Sequence, residues 1–575
     1  MRLFRGLIAL AVGVNAAREA RGAEERGEVK NIAIIGAGAA GSSAAYHLHK
    51  YAHEANLILN ITLFEKTDHI GGRTLTVNPF DDPQQRVELG ASIFIKDNRI
   101  MYNATQTFGL NLSMQDDSAP TDYTAIWDGE TIVFRSEEGT SWWWDAAKLF
   151  LKYGIAPYKA MQLVKRSVGT FLQLYEAPYF PFRSLTQRVF ELGLVQLTGV
   201  TGEEILQENK INADFVRDLM QPATRVNYAS NMAFIHGLEA IVSFATEGAI
   251  SISGGNYQIF EKMVHCSGAS YKPNTTVSTI SFHKGTNKPG SVPQYVLWTK
   301  NASSNAKPAR LSTTFDGVII ASPWQYSGME ASEGVMTHRI DAIPYMKLHV
   351  TLFASPFKLH APYFGLKPGS AAPRSVYTTL GKDEAAQAGP KGVGRTGFYS
   401  ISTLRKVTNP RTHKKEYLYK IFSAEAVNST FLSAILGRDV PTSIVEANTS
   451  EAGAEVGPIS WYYPHWFYSY PIALPRVTFQ DPIVGRGVYY TSGMESFIST
   501  METNALMGMN VARLIVDDVM RTTKGPDGAA AGGAKGRQIR KGLGVGAGVG
   551  AREDFWDSMD SEIGARVGSL GADEL

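Results

Sequence analysis

A glycine pattern near the start of the chain constrains its fold more than any other feature. Residues 31–35 form a short apolar run that leads directly into Gly36-Ala37-Gly38-Ala39-Ala40-Gly41. A helix-like stretch follows to about Ala55, then a second apolar run over residues 61–64 that ends at Glu65. A GxGxxG placed between a strand and a helix, with an acid closing the next strand, marks a dinucleotide-binding Rossmann unit. Gly36 allows a tight turn off the strand, Gly38 lets backbone approach a pyrophosphate, and Gly41 lets the helix pack against the strand. The helix start offers free N–H groups and a positive dipole end to phosphates. Glu65 accepts hydrogen bonds from a ribose, and its charge disfavours a 2′-phosphate.

The next glycines select among dinucleotides. Gly71-Gly72-Arg73 resembles the flavoprotein extension of the motif in amine oxidases and their relatives, where this segment contacts the FAD phosphates. Residues 88–92, Glu-Leu-Gly-Ala-Ser, resemble the next FAD-contacting stretch of that group. FAD is therefore expected rather than NAD.

Length and composition set the outer limits. A chain of 575 residues buries a large core and divides into two or more domains. A net charge of +2 with no strong basic block argues against a nucleic-acid binder. Cys266 is the sole cysteine, so an internal disulfide is excluded. It reads better as a small buried residue than as a nucleophile. No Cys/His cluster suggests a metal site.

The N-terminus reads as a signal peptide: Arg2 and Arg5, an apolar core over residues 7–14, and a cleavage site at Val14-Asn15-Ala16. That core is too short to span a bilayer. Seven Asn-X-Ser/Thr triplets, at Asn60, Asn103, Asn111, Asn274, Asn301, Asn428 and Asn448, fit a secretory glycoprotein. The last four residues, Ala572-Asp573-Glu574-Leu575, resemble a variant of an ER-retrieval signal.

The expected fold class is α/β: a discontinuous Rossmann-type FAD-binding domain with a second, mixed α+β substrate domain. Residues 1–28 are signal and linker, and residues 29–125, 251–335 and 476–521 are the three parts of the FAD domain. Residues 126–250 form a helical substrate or cap region, 336–475 the substrate-domain sheet, and 522–575 a Gly/Ala-rich, disordered tail. In the helical region, Trp143, Ala146, Ala147, Phe150 and Leu151 share one face, and Met161, Val164, Val168, Phe171, Leu172 and Tyr175 share another. Two amphipathic helices packed on a core explain these faces; a peripheral membrane contact is the sharper alternative, given Trp142–Trp144 and the surrounding lysines.

The C-terminal stretch Ser492-Gly493-Met494-Glu495, followed by Met501-Glu502, resembles the last FAD contact of amine-oxidase-type flavoproteins. A finer resemblance is to the prenylcysteine oxidase (prenylcysteine lyase) family. It rests on ELGASIF at 88–94, RVNY at 225–228, IHGLEA at 235–240, SGGNYQIFE at 253–261 and residues 493–502.

The resemblance implies an FAD-dependent thioether oxidase of the lysosome or endomembrane system. Such enzymes turn farnesyl- or geranylgeranyl-cysteine into prenyl aldehyde, cysteine and hydrogen peroxide. Hydride leaves the allylic carbon beside sulfur, water adds, and the hemithioacetal collapses. The cofactor carries this chemistry, so no catalytic triad is expected.

The implied FAD contacts are Gly36, Gly38, Ala40, Gly41, Glu65, Lys66, Gly72, Arg73, Gly90, Ala91, Ser92, Val277, Gly493, Glu495 and Met501. His236 is the candidate for activating water, against a structural role in the core. Tyr228, Asn256, Tyr462 and His465 are candidates for the substrate side, with Tyr462 and His465 in an aromatic cluster suited to an isoprenoid wall. Rival readings are an amine or polyamine oxidase, and a non-catalytic binder of flavin or prenyl lipid. The expected partners are a small prenylated amino acid and molecular oxygen, with no nucleic acid and no partner protein.

Overall fold

A computed structural model describes residues 29–113, 123–137, 142–245, 248–288, 291–443 and 457–523. The signal peptide, Asn448, the Gly/Ala-rich tail and the ADEL terminus lie outside them. Residues up to Val519 form one compact unit; a second begins at Met520, in the last turn of the helix Met501–Thr523.

Six strands build the nucleotide-binding sheet in the order Ile483–Gly485, Val488–Tyr490, Gly317–Ile320, Lys30–Ile35, Leu59–Phe64, Ser270–Lys272. Lys30–Ile35 pairs in parallel with both neighbours, Ile34 opposite Leu63 on one side and Ile319 on the other. A parallel strand is buried on both faces, so it reads as a continuous apolar run; Ala33, Ile34, Val318 and Ile319 are all fully buried. The sheet thus gathers segments from both ends of the chain.

Two helices lie against each other beside this sheet. Ala39–Glu54 begins directly after the first glycines. The helix Met501–Thr523 approaches it so closely that a Cβ on Gly508 would sit 2.1 Å from the Ala40 carbonyl oxygen. Only glycine permits that approach.

A second sheet of seven strands runs Trp461–Pro471, Tyr345–Ser355, Lys415–Ser423, Ser400–Thr408, Ser375–Thr378, Tyr123–Trp127, Ile132–Glu137. Its last two strands correct the expected boundary at residue 125, which falls inside a hairpin. The alternation there is short, with Tyr123 and Ala125 inward, and pairing with Ser375–Thr378 decides its sheet. Helices from Trp142–Tyr153 to Gly237–Ser243 form a third body with its own core, including Leu163, Val164, Ile205, Phe215 and Ile241.

Cys266 also departs from expectation. It ends the helix Tyr257–Cys266 and is exposed. No helix among the described residues is long and apolar enough to cross a membrane.

Candidate functional site

A cavity of about 1270 Å³ opens where the three bodies meet. Its walls follow the order of the sequence motifs. The strand Lys30–Ile35 ends at Gly36, which has a φ of +107°. A Cβ at Gly36 would lie 2.7 Å from the Ala321 carbonyl oxygen, so no side chain fits there. At Gly41 a Cβ would lie 1.9 Å from the Gly36 oxygen. Gly38 is different. A Cβ there would meet only the Gly72 Cα, at 4.0 Å, so the space above it is open. Gly38 is the N-cap of the helix and supplies no side-chain cap, leaving the first-turn N–H groups to bind an anion.

Glu65 sits at the far side of this cradle. Its Oε2 accepts the Ala37 N–H at 2.8 Å, and its Oε1 accepts the N–H and hydroxyl of Thr67 at 2.8 and 2.9 Å. Oε1 thus has both lone pairs engaged, while Oε2 keeps capacity for a further donor. The second glycine pair closes over the first: the Gly71 N–H donates to Ala37 O at 2.9 Å, and a Cβ on Gly72 would lie 3.2 Å from the Gly38 Cα.

Arg73 links the two ends of the chain. Its guanidinium pairs with Glu495 at 2.8 Å and donates to the Ser469 carbonyl. Burial works against that charge, and the Glu495 carboxylate more than restores it, holding the Arg73 pKa above its ordinary value. The Arg73 carbonyl in turn fixes the next wall: it accepts the Ala91 N–H at 3.2 Å, and a Cβ on Gly90 would sit 1.8 Å from it.

The floor is the start of the helix Met501–Thr523. Thr500 and Thr503 cap each other, each hydroxyl oxygen accepting the other's backbone N–H at 3.1 Å. Residues 498–504 line the cavity. Two helix N-termini therefore face one cavity, each a partial positive charge. Glu502 spans outward instead. Its carboxylate accepts the N–H groups of Ile100 and Met101 at 2.9 Å and the Tyr175 hydroxyl at 2.7 Å. Burial pushes its pKa up to about 7 against those donors.

A buried pair absent from the sequence-based expectations stands beside Gly90. The Lys420 ammonium donates to Ser92 Oγ at 2.9 Å and to the Glu88 carbonyl at 3.1 Å. Glu88 Oε1 accepts the Asn256 N–H at 2.6 Å, and Oε2 has no partner. Burial raises the Glu88 carboxyl and lowers the Lys420 ammonium, and each partly restores the other's charge. No local pattern flags it, since Lys420 shares one face with Glu416, Leu418 and Phe422 along the strand Lys415–Ser423.

Most of the predicted cofactor residues line this cavity: Gly36, Gly38, Ala40, Glu65, Lys66, Gly72, Arg73, Gly90, Ala91, Ser92, Glu495 and Met501. Gly41, Val277 and Gly493 do not. Gly41 is a packing glycine, Val277 is buried among Phe64, Ile280 and Leu297, and a Cβ on Gly493 would lie 2.5 Å from the Gln480 carbonyl oxygen. On the substrate side, Tyr228 and His465 line the cavity, with Tyr228 edge-on to Tyr470 at 5.6 Å.

Asn256 and Tyr462 do not reach it. Asn256 is fully buried and ties Ile252 N–H to the Ala91 carbonyl, at 2.9 and 3.2 Å. Tyr462 packs against the core beneath the second sheet. His236 corrects the expectation of a water-activating base. It is fully buried away from the cavity, and its Nδ1 accepts the Glu239 N–H at 3.2 Å as the cap of the helix Gly237–Ser243. Burial lowers its pKa to about 3, so the ring stays neutral. Glu239 on that helix accepts the Ser499 N–H at 2.9 Å, steadying the approach to the cavity floor.

Beyond the glycine cradle the walls turn apolar. Val168, Phe171 and Leu172 come from one helix and its continuation, and Val226, Val242 and Ala245 from its neighbours. The whole exceeds the roughly 300–1,000 Å³ of an ordinary small-ligand pocket. A dinucleotide-length track with an open glycine cradle, an acid at the ribose end and a second helix N-terminus fits FAD, which this domain binds.

Comparison with known proteins agrees. The family model "Prenylcysteine lyase" matches residues 136–527, and "NAD(P)-binding Rossmann-like domain" matches 34–107. The chain is 26% identical to a farnesylcysteine lyase of Arabidopsis thaliana, over 87% of this chain and 91% of that protein. It is 25% identical to prenylcysteine oxidase 1 of Bos taurus, over 86% and 89% of the two chains. The solved structure of cyclohexylamine oxidase from Brevibacterium oxydans shares the fold, with a TM-score of 0.50 at 14% identity over 86% of this chain and 100% of that one.

Proposed function

The chain belongs to the prenylcysteine lyase family, and on that premise we propose that it oxidises the thioether of farnesyl- or geranylgeranyl-cysteine, releasing prenyl aldehyde, cysteine and hydrogen peroxide. One observation carries the reading: the nucleotide track and an apolar arm form a single continuous cavity. An isoprenoid needs apolar walls, and the arm provides Val168, Phe171, Leu172, Val226 and Val242.

FAD, when bound, accepts hydride from the carbon next to sulfur and passes the electrons to oxygen. The chain supplies the rest. The Gly38 cradle and the helix start at Ala39 hold the phosphates. Glu65 orients the ribose. The dipole of the helix beginning at Met501 favours negative charge over the cavity floor. Lys420 lines the cavity and ties down the Glu88–Ser92 wall through the Glu88 and Gly90 carbonyls and Ser92 Oγ. The apolar arm keeps bulk water from the prenyl chain and aligns the reacting carbon.

The proposed setting is the secretory route, with the enzyme collecting a lipid-borne product of prenylated-protein breakdown near a membrane. Asn60, Asn103, Asn111, Asn301 and Asn428 are exposed, as glycan acceptors must be. Retention of a secreted reporter carrying the last ten residues would support ER retrieval, and free secretion would overturn it.

The deciding experiment is turnover by the purified yellow protein. Farnesylcysteine should bleach the flavin without air and yield peroxide, aldehyde and free cysteine in equal amounts with air. Bleaching by spermine or a simple amine, with none by farnesylcysteine, would replace this reading with amine oxidation.

A further inference from the structure

The helix Trp142–Tyr153 ends in an exposed apolar tip. Leu151 is 85% exposed, Phe150 52% and Ile155 51%, where the chain turns into the helix Ala156–Phe171. Three large apolar side chains this exposed in six residues do not serve the core. The following helix does, through Leu163, Val164 and Phe171.

After Asp145, the chain leading through and beyond the tip is one-sided in charge. Residues 148–171 contain Lys148, Lys152, Lys159, Lys165 and Arg166, and no acid. Lys152 is paired with Asp218 at 3.0 Å, and Lys159 donates to the Lys210 carbonyl at 3.2 Å. Arg166 reaches Asn209 Oδ1 at 3.5 Å, and Lys148, Lys165 and Arg166 are all exposed to solvent. Five cations thus stand in the same stretch as Leu151, the most exposed large apolar residue among those described.

From this juxtaposition we propose that the tip Phe150–Leu151–Ile155 docks the enzyme on an anionic lipid bilayer. An apolar tip ringed by cations matches the boundary between acyl chains and acidic headgroups. A second copy of the chain is a poorer occupant, because a two-fold contact would set these cations against one another. The helix that follows the tip carries Val168 and Phe171 in the cavity wall at its far end, about 20 Å along the axis from the tip, so docking holds the enzyme at the phase that stores a prenylated substrate. This last clause rests on the prenylcysteine reading; the docking surface itself does not.

The test is co-sedimentation of the flavin-loaded protein with phosphatidylcholine vesicles, with and without phosphatidylserine. The native protein should pellet with the anionic vesicles and be released by salt. Each exposed Lys or Arg raises partitioning about fivefold near such a surface, so Lys148→Glu and Lys165→Glu should each lower it by at least that factor. Leu151→Asp should lower it about tenfold or more. All three variants should keep native flavin content, melting temperature and turnover of farnesylcysteine in free solution.

The proposal is overturned if the native protein binds neither vesicle, binds both alike, or is unaffected by Leu151→Asp. It is also overturned if sedimentation shows a self-associated species that Leu151→Asp dissolves. Loss of farnesylcysteine turnover in the native protein, with anionic binding intact, would overturn the substrate reading alone.

Discussion

The glycine cradle and the apolar arm are two ends of one cavity, and they are specified in different ways. The cradle is made of backbone. At Gly36, Gly41 and Gly90 a single Cβ would strike a carbonyl oxygen within 2.7 Å, so each position admits one residue type. The arm is made of side chains. Val168, Phe171, Leu172 and Val242 satisfy a requirement for apolar volume that many residues meet equally well. The first kind of site is rigid in sequence and general in function. The second is permissive in sequence, and under the proposed function it is where substrate choice lies.

Substitutions should separate these two modes, the cradle giving the largest effects. Gly41→Val drives a side chain into the Gly36 carbonyl, and should cost on the order of 3 kcal/mol and yield colourless protein, read by thermal melts and flavin absorbance. Gly38→Val is the sharper probe, because the space above Gly38 is free of protein atoms within about 4 Å apart from Gly72. The fold should survive with a near-native melt while flavin content falls at least about tenfold, roughly 1.4 kcal/mol or more of cofactor binding. Flavin retained by Gly38→Val would mean the phosphates lie elsewhere.

An arm substitution should behave oppositely. Val168→Trp should leave flavin content and stability nearly unchanged. It should lower kcat/KM for geranylgeranylcysteine about tenfold, with less effect on farnesylcysteine, since the longer chain needs the filled volume. Equal losses for both substrates would place the prenyl chain outside this arm.

A pH dependence, read as a slope and not as a loss of flavin, belongs to Glu239, whose carboxylate holds the approach to the cavity floor. Burial raises the Glu239 carboxyl to about 8, against the Ser499 N–H and with help from Glu495. Its proton is therefore held more tightly folded than unfolded. The stability this contributes is complete below about 4.5 and is lost as pH rises toward 8. Glu239→Gln should flatten the melting temperature over that window; an unchanged slope would assign it to other groups.

Legibility in the sequence follows the same division. Gly36, Gly38, Glu65 and Arg73 are readable because sterics and charge leave few alternatives, and the parallel strands because burial on both faces forces apolar runs. Helix Met501–Thr523 is readable from its strand-and-turn context, but Gly508 is not, since a glycine inside a helix gives no hint of what crosses it. His236 and Asn256 are polar residues in family-like segments, and their hydrogen bonds serve the scaffold: one caps a helix, the other pins Ala91. The Lys420–Glu88 pair joins residues 332 positions apart, a distance at which no local pattern operates. Phe150 and Leu151 share a helical face with the expected core residues, and only the packing of neighbouring helices shows that they point outward.

The strand order has a consequence in time. The strands Lys30–Ile35 and Val488–Tyr490 flank Gly317–Ile320 in one sheet, and the helix from Met501 closes the cavity floor. Roughly 450 residues must be made between the first of these strands and the last. At about 5–20 residues per second a ribosome takes on the order of 20–90 s to cover that interval. Throughout it the glycine cradle exists without its floor, although the Lys30–Ile35 strand gains Leu59–Phe64 early and Gly317–Ile320 midway. The complete bed for the flavin is therefore available only late in synthesis. A chain terminated anywhere before Met501 lacks part of the bed, whatever the quality of its N-terminal motif.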